Sequence, residues 1–339
     1  MCCIETESIV VRKSEQLIEE ALAFSASDIH LSPTNDRYSV VFRKYGKMHV
    51  KGELPQEIAT RIITYYKFLS ALDISEKRKP QSGAFQKEFE QTVFAFRIST
   101  LPSVLGKESL VIRILKQNMT LPLAELSYDI KMARKIEQLV QNRQGLLLFC
   151  GATGTGKSTS LYSLIHYCCT ELKRHVISLE DPVEKNHEQI IQIQVNERAG
   201  VTYAEGLRAI LRHSPDVIMI GEIRDAETAE IAIQAALSGH LVLSTVHAKN
   251  TVNCLYRLMD LGVSLDELRQ ATIGIIAQTL VETKVEDGRK AIFELLSDVH
   301  LYEAFVAIAH GEAYSLHYHH TLEHQRYQVE GSPYARFTH

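Results

Sequence analysis

The spacing of apolar residues changes character once along the chain. In residues 14–24, Leu17, Ile18, Ala21, Leu22 and Phe24 recur at helical intervals. Tyr38, Val40 and Phe42 then repeat at every second position as in a strand, and Tyr45-Gly46-Lys47 reads as the hairpin turn after it. Helical spacing returns over residues 58–72, and strands are expected over residues 92–99 and 110–115. Strand side chains alternate between faces, so Phe94, Phe96 and Ile98 share a side with Arg97 opposite. Leu110, Ile112 and Ile114 likewise share a side, with Arg113 opposite. Two arginines on the non-core face of neighbouring strands are either solvated edge charges or groups that meet a ligand.

A helix over residues 129–141, carrying Ile130, Ala133, Ile136, Leu139 and Val140, leads to Gly145, where the texture changes. Short apolar runs follow at residues 146–150, 176–179, 217–220 and 241–245. Helical stretches lie between them near residues 158–170, 204–212 and 226–237, the last stopped by Gly239. Continuous apolar strands alternating with helices indicate an α/β domain whose parallel sheet is covered on both faces. The expected organisation is a small α+β domain over residues 1–115, a linker over 116–128 containing Pro122, an α/β domain over 129–310, and a tail over 311–339. The tail is rich in His and Tyr, and its pattern specifies no fold.

Composition narrows the function. Hydrophobic residues make up 45% and charged residues 23% of 339, as in a globular chain of two domains. Lys plus Arg number 37 against 41 Asp plus Glu, a formal net charge of -4, so no global field draws the chain to nucleic acid or to an anionic membrane. No apolar run approaches the ~20 residues of a membrane span. Met1-Cys2-Cys3-Ile4-Glu5 sets acid where a secretion signal has base, and a cytoplasmic protein is expected. The six cysteines are two adjacent pairs, Cys2/Cys3 and Cys168/Cys169, and the single Cys150 and Cys254. No C-x-x-C spacing occurs, so reduced, packed thiols are expected, with no zinc.

The chemistry concentrates after the first apolar run. Gly151-Ala152-Thr153-Gly154-Thr155-Gly156-Lys157-Ser158, with Thr159 next, fits the phosphate-loop pattern G-x-x-x-x-G-K-[ST] between a buried strand and a helix. Glycines allow backbone N–H groups to wrap phosphate oxygens, and the helix start adds positive potential. Lys157 offers a point charge to the β- and γ-phosphates, and the Ser158 hydroxyl can ligate Mg²⁺. Two acidic segments follow at strand ends, where a parallel sheet presents its ligand crevice. They are Glu180-Asp181-Pro182-Val183-Glu184 and Gly221-Glu222-Ile223-Arg224-Asp225. Each acid is either a helix cap or a site carboxylate. His247, at a fourth strand end, is either a satisfied structural residue or a group beside the γ-phosphate.

Taken together these motifs resemble the secretion-superfamily traffic ATPases that assemble type IV pili and type II secretion pseudopili. The resemblance spans roughly residues 14–300. It rests on the phosphate loop, on Ile177 through Glu184 (like the family's Asp box), on Asp216 through Asp225 (like its Walker B) and on Ser238-Gly239-His240 through His247 (like its His box). Ala26-Ser27-Asp28-Ile29-His30, Phe96 through Pro102 and Gly288 through Glu294 also look like that family. The chain is most similar to the short competence branch, which powers a pseudopilus for DNA uptake in Gram-positive bacteria.

The resemblance implies a PAS-like small domain, a RecA-like P-loop domain, a ring of six copies, and ATP with Mg²⁺ as cofactors. Glu180 would activate water. Glu222 would act through Mg²⁺ and the γ-phosphate, His247 would lie near the phosphates, and Arg97 and Arg113 would answer the terminal phosphate. Implied partners are further copies of the chain, a polytopic membrane platform protein and, indirectly, pilin-like subunits. Direct sequence-specific nucleic-acid binding is not expected, and the location implied is the inner face of the cell membrane. Many relatives carry a four-cysteine zinc motif that has no counterpart here, and Gln278-Thr279-Leu280 stands where Gln-Arg-Leu is usual. The retraction motors' carboxy-terminal motif has no trace either, which favours assembly. A retraction or conjugative-transport motor, a RecA-like nucleic-acid motor and a nucleotide-binding scaffold remain as rival readings.

Overall fold

The computed structural model describes residues 2–90, 92–103, 106–116, 120–283 and 288–330, apart from the side chains of residues 2–8 and 198. The Cys2/Cys3 side chains, residues 117–119 of the expected linker and the end of the tail lie outside the described residues. The chain forms two compact units, Met1–Met119 and Thr120–His339.

In the first unit the order is α1 (Cys2–Ala23), β1 (Asp28–Pro33), β2 (Arg37–Lys44), β3 (Lys47–Pro55), α2 (Gln56–Leu69), β4 (Gln81–Phe89), β5 (Thr92–Pro102) and β6 (Glu108–Lys116). The strands make one antiparallel sheet in the order β3-β2-β1-β6-β5-β4. Tyr45 and Gly46 both take positive φ (53° and 81°), which a tight two-residue hairpin between β2 and β3 requires. Leu17, Ile18, Ala21, Ile62, Ile63 and Tyr66 of the helices bury one face of the sheet through Ile29, Leu31, Phe42, Phe96, Ile98 and Ile112. The alternation expected for residues 38–42, 92–99 and 110–115 is present. β1, β3 and β4 carry weaker patterns. β3 is exposed along most of its length, so nothing in its sequence had to alternate.

A buried ion pair crosses this core. Lys67 Nζ donates to Glu108 Oε1 at 2.8 Å and to the Glu76 carbonyl at 2.7 Å, with the two side chains 1% and 7% exposed. The Tyr38 hydroxyl donates to the Glu108 carbonyl.

The second unit continues with α3 (Leu123–Leu126), α4 (Ile130–Leu139), β7 (Gly145–Cys150), α5 (Lys157–Thr170), β8 (Val176–Glu180), β9 (Ile191–Gln194), α6 (Tyr203–Leu211), β10 (Val217–Ile220) and α7 (Ala226–Leu237). Then come β11 (Leu241–Val246), α8 (Thr251–Asp260), α9 (Leu265–Ala271), β12 (Thr272–Thr283), β13 (Gly288–Ser297), α10 (Asp298–Ala309) and α11 (Leu322–Glu330). The sheet order is β13-β12-β7-β11-β10-β8-β9, parallel from β12 to β9 and antiparallel only between β12 and β13. Successive strand residues feed two separate cores. Leu146 and Leu148 of β7 enter one with Ile218, Ile220 and Val242, while Leu147 and Phe149 enter the other with Val217, Met219 and Leu243. Both faces are covered, which is why these strands read as unbroken apolar runs.

Two expectations need revision. The end of the expected linker belongs to the second unit: Leu123 is 1% exposed in its core, and the Tyr128 amide donates to the Ala291 carbonyl. The tail also joins the fold over part of its length. Leu316 is buried, and α11 ties itself to β13 where Gln325 Nε2 donates to the Phe293 carbonyl at 2.7 Å. These contacts are long-range, so helical spacing within the tail itself is slight.

Removing one member of a buried ion pair strands the other charge at a cost of about 3–5 kcal/mol. Lys67→Ala is therefore expected to lower the urea midpoint of the first unit far more than Arg61→Ala, which breaks an exposed helical pair with Glu57. Equal midpoints for the two variants would refute this.

Candidate functional site

The sheet order decides what can meet. β7, β11, β10 and β8 are consecutive parallel neighbours, so the loops following Cys150, Val246, Ile220 and Glu180 leave the same edge of the sheet. The chain passes from β7 to β8 across two positions that β10 and β11 fill later. Such a switch point is where parallel sheets bind ligands.

The phosphate loop is shaped by its glycines and by the strand behind it. Gly151, Gly154 and Gly156 take φ of 141°, 80° and 87°, and Gly156 serves as the left-handed cap from which α5 starts at Lys157. A Cβ on Gly151 would lie 2.6 Å from the Gln278 carbonyl, and one on Gly156 would lie 2.9 Å from Gln278 Nε2. That amide donates to the Thr155 carbonyl at 2.9 Å, and the Thr155 hydroxyl donates to the Ala152 carbonyl at 2.9 Å. Lys157 Nζ donates to the Gly151 and Ala152 carbonyls at 2.8 and 2.9 Å. Burial pushes its pKa down, against the opposing pull of Cys150 and Glu222.

Glu222 stands at the end of β10 with its side chain 15% exposed. His247 Nε2 lies 3.0 Å from its Oε1, and Arg224 Nε donates to its Oε2 at 2.9 Å. The Arg224 guanidinium also reaches to 3.9 Å from Asp181, so one cation spans both acidic loops. Bonding to Glu222 is the main reason its pKa is raised. Neighbouring strands hold the loop in place: Thr245 Oγ1 donates to the Gly221 carbonyl at 2.7 Å, and the Ile223 amide donates to the Thr245 carbonyl.

The remaining acids separate by role. Asp225 caps α7, accepting from the Thr228 amide at 2.8 Å, and Asp216 accepts from the His175 amide at 2.7 Å. Glu180 is 3% exposed. Its Oε1 accepts from Ser178 Oγ at 2.7 Å and Gln192 Nε2 at 3.2 Å, and its Oε2 accepts from the Tyr162 hydroxyl. The water-activating role implied for Glu180 fits this place poorly, because its oxygens are occupied by protein donors and withdrawn from solvent. It instead ties the end of β8 to α5 and β9. Glu184, farther along the same loop, is half-buried.

The structure thus brings Gly151, Ala152, Thr153, Gly154, Thr155, Gly156, Lys157, Ser158 and Thr159 to one edge of the sheet with Glu222, His247 and the Glu180 loop. Arg97 and Arg113 lie in the first unit, directly opposite each other across β5 and β6. His240 is removed from His247 by the length of β11, roughly 20 Å for six residues. It closes the other end of that strand, with Nδ1 3.1 Å from the Ala235 carbonyl. The sequence pattern does not mark Tyr162, Gln192, Arg224 or Gln278 as site residues. Their parts arise from contacts across the fold, and only two of them carry any signal in the sequence: Arg224, two residues after Glu222, and Gln278, in the segment that stands where Gln-Arg-Leu is usual. Among the described residues no three His, Cys, Asp or Glu side chains gather as a metal-binding group.

Comparison with known proteins bears on the family and the fold. A family model described as type II/IV secretion system protein matches residues 4–327. The competence protein ComGA of Bacillus subtilis (strain 168) is 44% identical over 273 residues, covering 80% of this chain and 76% of that one. The competence protein ComGA of Halalkalibacterium halodurans is 39% identical over 312 residues, covering 87% and 89%. Among solved structures, the pilus retraction motor PilT with bound ADP superposes with a TM-score of 0.69 at 26% identity, covering 94% of this chain and 96% of that one.

Gly151→Ala is expected to weaken ATP binding at least tenfold by calorimetry, since it adds a clash with fixed backbone to an unfavourable φ. Gly154→Ala adds only the unfavourable φ, with nothing within 4 Å of the new Cβ, and should weaken binding less. The reverse order would show that the Gln278 strand does not shape the loop.

Proposed function

This chain belongs to the type II/IV secretion system protein family, and on that premise we propose that it is an ATP-hydrolysing motor for assembly of a competence pseudopilus that takes up DNA. The observation that carries the chemistry is the phosphate loop sharing one sheet edge with the Glu222–His247 pair. The identity with two competence proteins, 44% and 39%, supports the competence branch within the family.

In this reading the loop amides and the start of α5 receive the phosphates of ATP, and Lys157 exchanges its loop carbonyls for phosphate oxygens. The Ser158 hydroxyl and Glu222 carboxylate are oxygen donors of the kind a hard cation takes, Ser158 directly and Glu222 directly or through water. Mg²⁺ held there would neutralise charge on the β- and γ-phosphates. Glu222, oriented by Arg224 and His247, acts on the water and γ-phosphate side of the site. Glu184 takes the water-ordering part in its loop, and Glu180 anchors that loop to α5. Arg97 and Arg113 supply cationic charge to the terminal phosphoryl group, a contribution of ~10³–10⁵ in rate in other nucleotide hydrolases.

The motor is proposed to work as a ring of six copies at the cytoplasmic face of the membrane, against a polytopic platform protein, adding pilin-like subunits at a distance. Among the described residues no helix is long and apolar enough to cross a membrane. The small net charge of -4 supports no direct sequence-specific contact with nucleic acid.

Glu222→Gln and Glu184→Gln are each expected to lower steady-state ATP hydrolysis at least a hundredfold while ATP affinity changes by less than about threefold. Glu180→Gln should lose less turnover and more thermal stability. A null strain carrying Glu222→Gln should fail to transform. Wild-type hydrolysis by Glu222→Gln would refute the site, and surplus surface pili in the null strain would refute assembly in favour of retraction.

A further inference from the structure

Arg43, Asp28, Arg113 and Arg97 stand in one row across β2, β1, β6 and β5, on the sheet face away from the helices. Asp28 is directly opposite both Arg43 and Arg113, and Arg113 is opposite Arg97. Like charges at successive ladder positions repel, and this row of three guanidiniums contains one carboxylate. Asp28 is 4% exposed, a costly place for an acid whose charge is not answered.

That carboxylate lies between two cations and is committed to one of them. Its Oδ1 accepts from Arg113 Nε at 2.9 Å, and its Oδ2 accepts from the Ser27 hydroxyl at 2.8 Å. Arg43 turns its Nε toward Met48 Sδ at 3.4 Å. A bond through Nε sets the plane of the Arg113 guanidinium and leaves its paired Nη groups at the far end. That pair is the fork that matches two phosphoryl oxygens, and the Arg113 side chain is 56% exposed. The Ser27 bond fixes the carboxylate that does the fixing.

We propose that Asp28 is a positioning residue: it holds Arg113 by Nε so that the Nη fork is presented to the terminal phosphoryl group of ATP. This rests on the reading of Arg113 given above. Asp28 meets no reacting atom in this scheme, so every kinetic effect of Asp28 passes through Arg113.

The test is a double-mutant cycle on the full chain, following kcat and KM for ATP with melting temperature as the control for folding. Arg113→Ala should lower kcat at least a hundredfold. Asp28→Asn, which keeps the shape but not the charge, should lower kcat about tenfold to a hundredfold, as misplacement of a catalytic group does, with KM within about twofold. The double variant should be no slower than Arg113→Ala alone. Ser27→Ala should show a smaller loss in kcat of the same kind, and it decides the matter if Asp28→Asn does not fold. Independent, multiplying losses in the double variant would overturn the proposal. So would wild-type kcat in Asp28→Asn, or in Ser27→Ala where that variant decides, while Arg113→Ala is inactive; that result leaves the arginine reading intact. A fully active Arg113→Ala would sink the arginine reading itself, and the proposal with it.

Discussion

The second unit depends on where β11 is laid. It pairs with β7 from Leu241 to Val246 and with β10 from Leu241 to Ser244, and that insertion carries His247 to the edge where the phosphate loop begins. The same pairing allows Ser244 and Thr245 to accept responsibility for the β10 end, their hydroxyls donating to the Ile220 and Gly221 carbonyls at 2.9 and 2.7 Å. Glu222 follows directly and is therefore aimed from a fixed base. A side chain that follows a strand buried on both faces is held with less freedom than one carried by a surface loop.

Charge at this edge is arranged in a chain of shared partners. Arg224 spans Glu222 and Asp181, His247 holds the other oxygen of Glu222, and the Glu222 charge opposes the burial that lowers the Lys157 pKa. A change at any one of these groups alters the balance of the rest. Glu180 stands outside this chain. Its partners Tyr162, Ser178 and Gln192 belong to α5, β8 and the strand β9, and they make a mechanical joint of a residue that the family resemblance alone would place among the reacting groups.

The first unit solves a related problem with strand register. Two arginines opposite each other on β5 and β6 would repel, and the acid that answers Arg113 comes from β1, 85 residues earlier in the chain. The small domain thus uses long-range pairing to set one side chain, as the large domain does for Glu222.

Much of this was legible in the residues themselves. The alternation at Phe94, Phe96 and Ile98 put Arg97 on the opposite face, and the apolar runs marked β7, β8, β10 and β11 almost to the residue, because each strand's surroundings must match its own side chains. The phosphate loop could be read directly, since its glycines and Lys157 act through local backbone shape. The helix-or-site ambiguity of the acids, the part played by Glu180, the brace from Gln278 and the docking of the tail could not be read. Each depends on a partner contributed by a distant segment, and a one-dimensional pattern records what a residue prefers as its environment but not which segment provides it. Local order and the phosphate-loop pattern were therefore decided by the sequence alone, whereas the partner that each carboxylate meets was decided only when the strands were assembled.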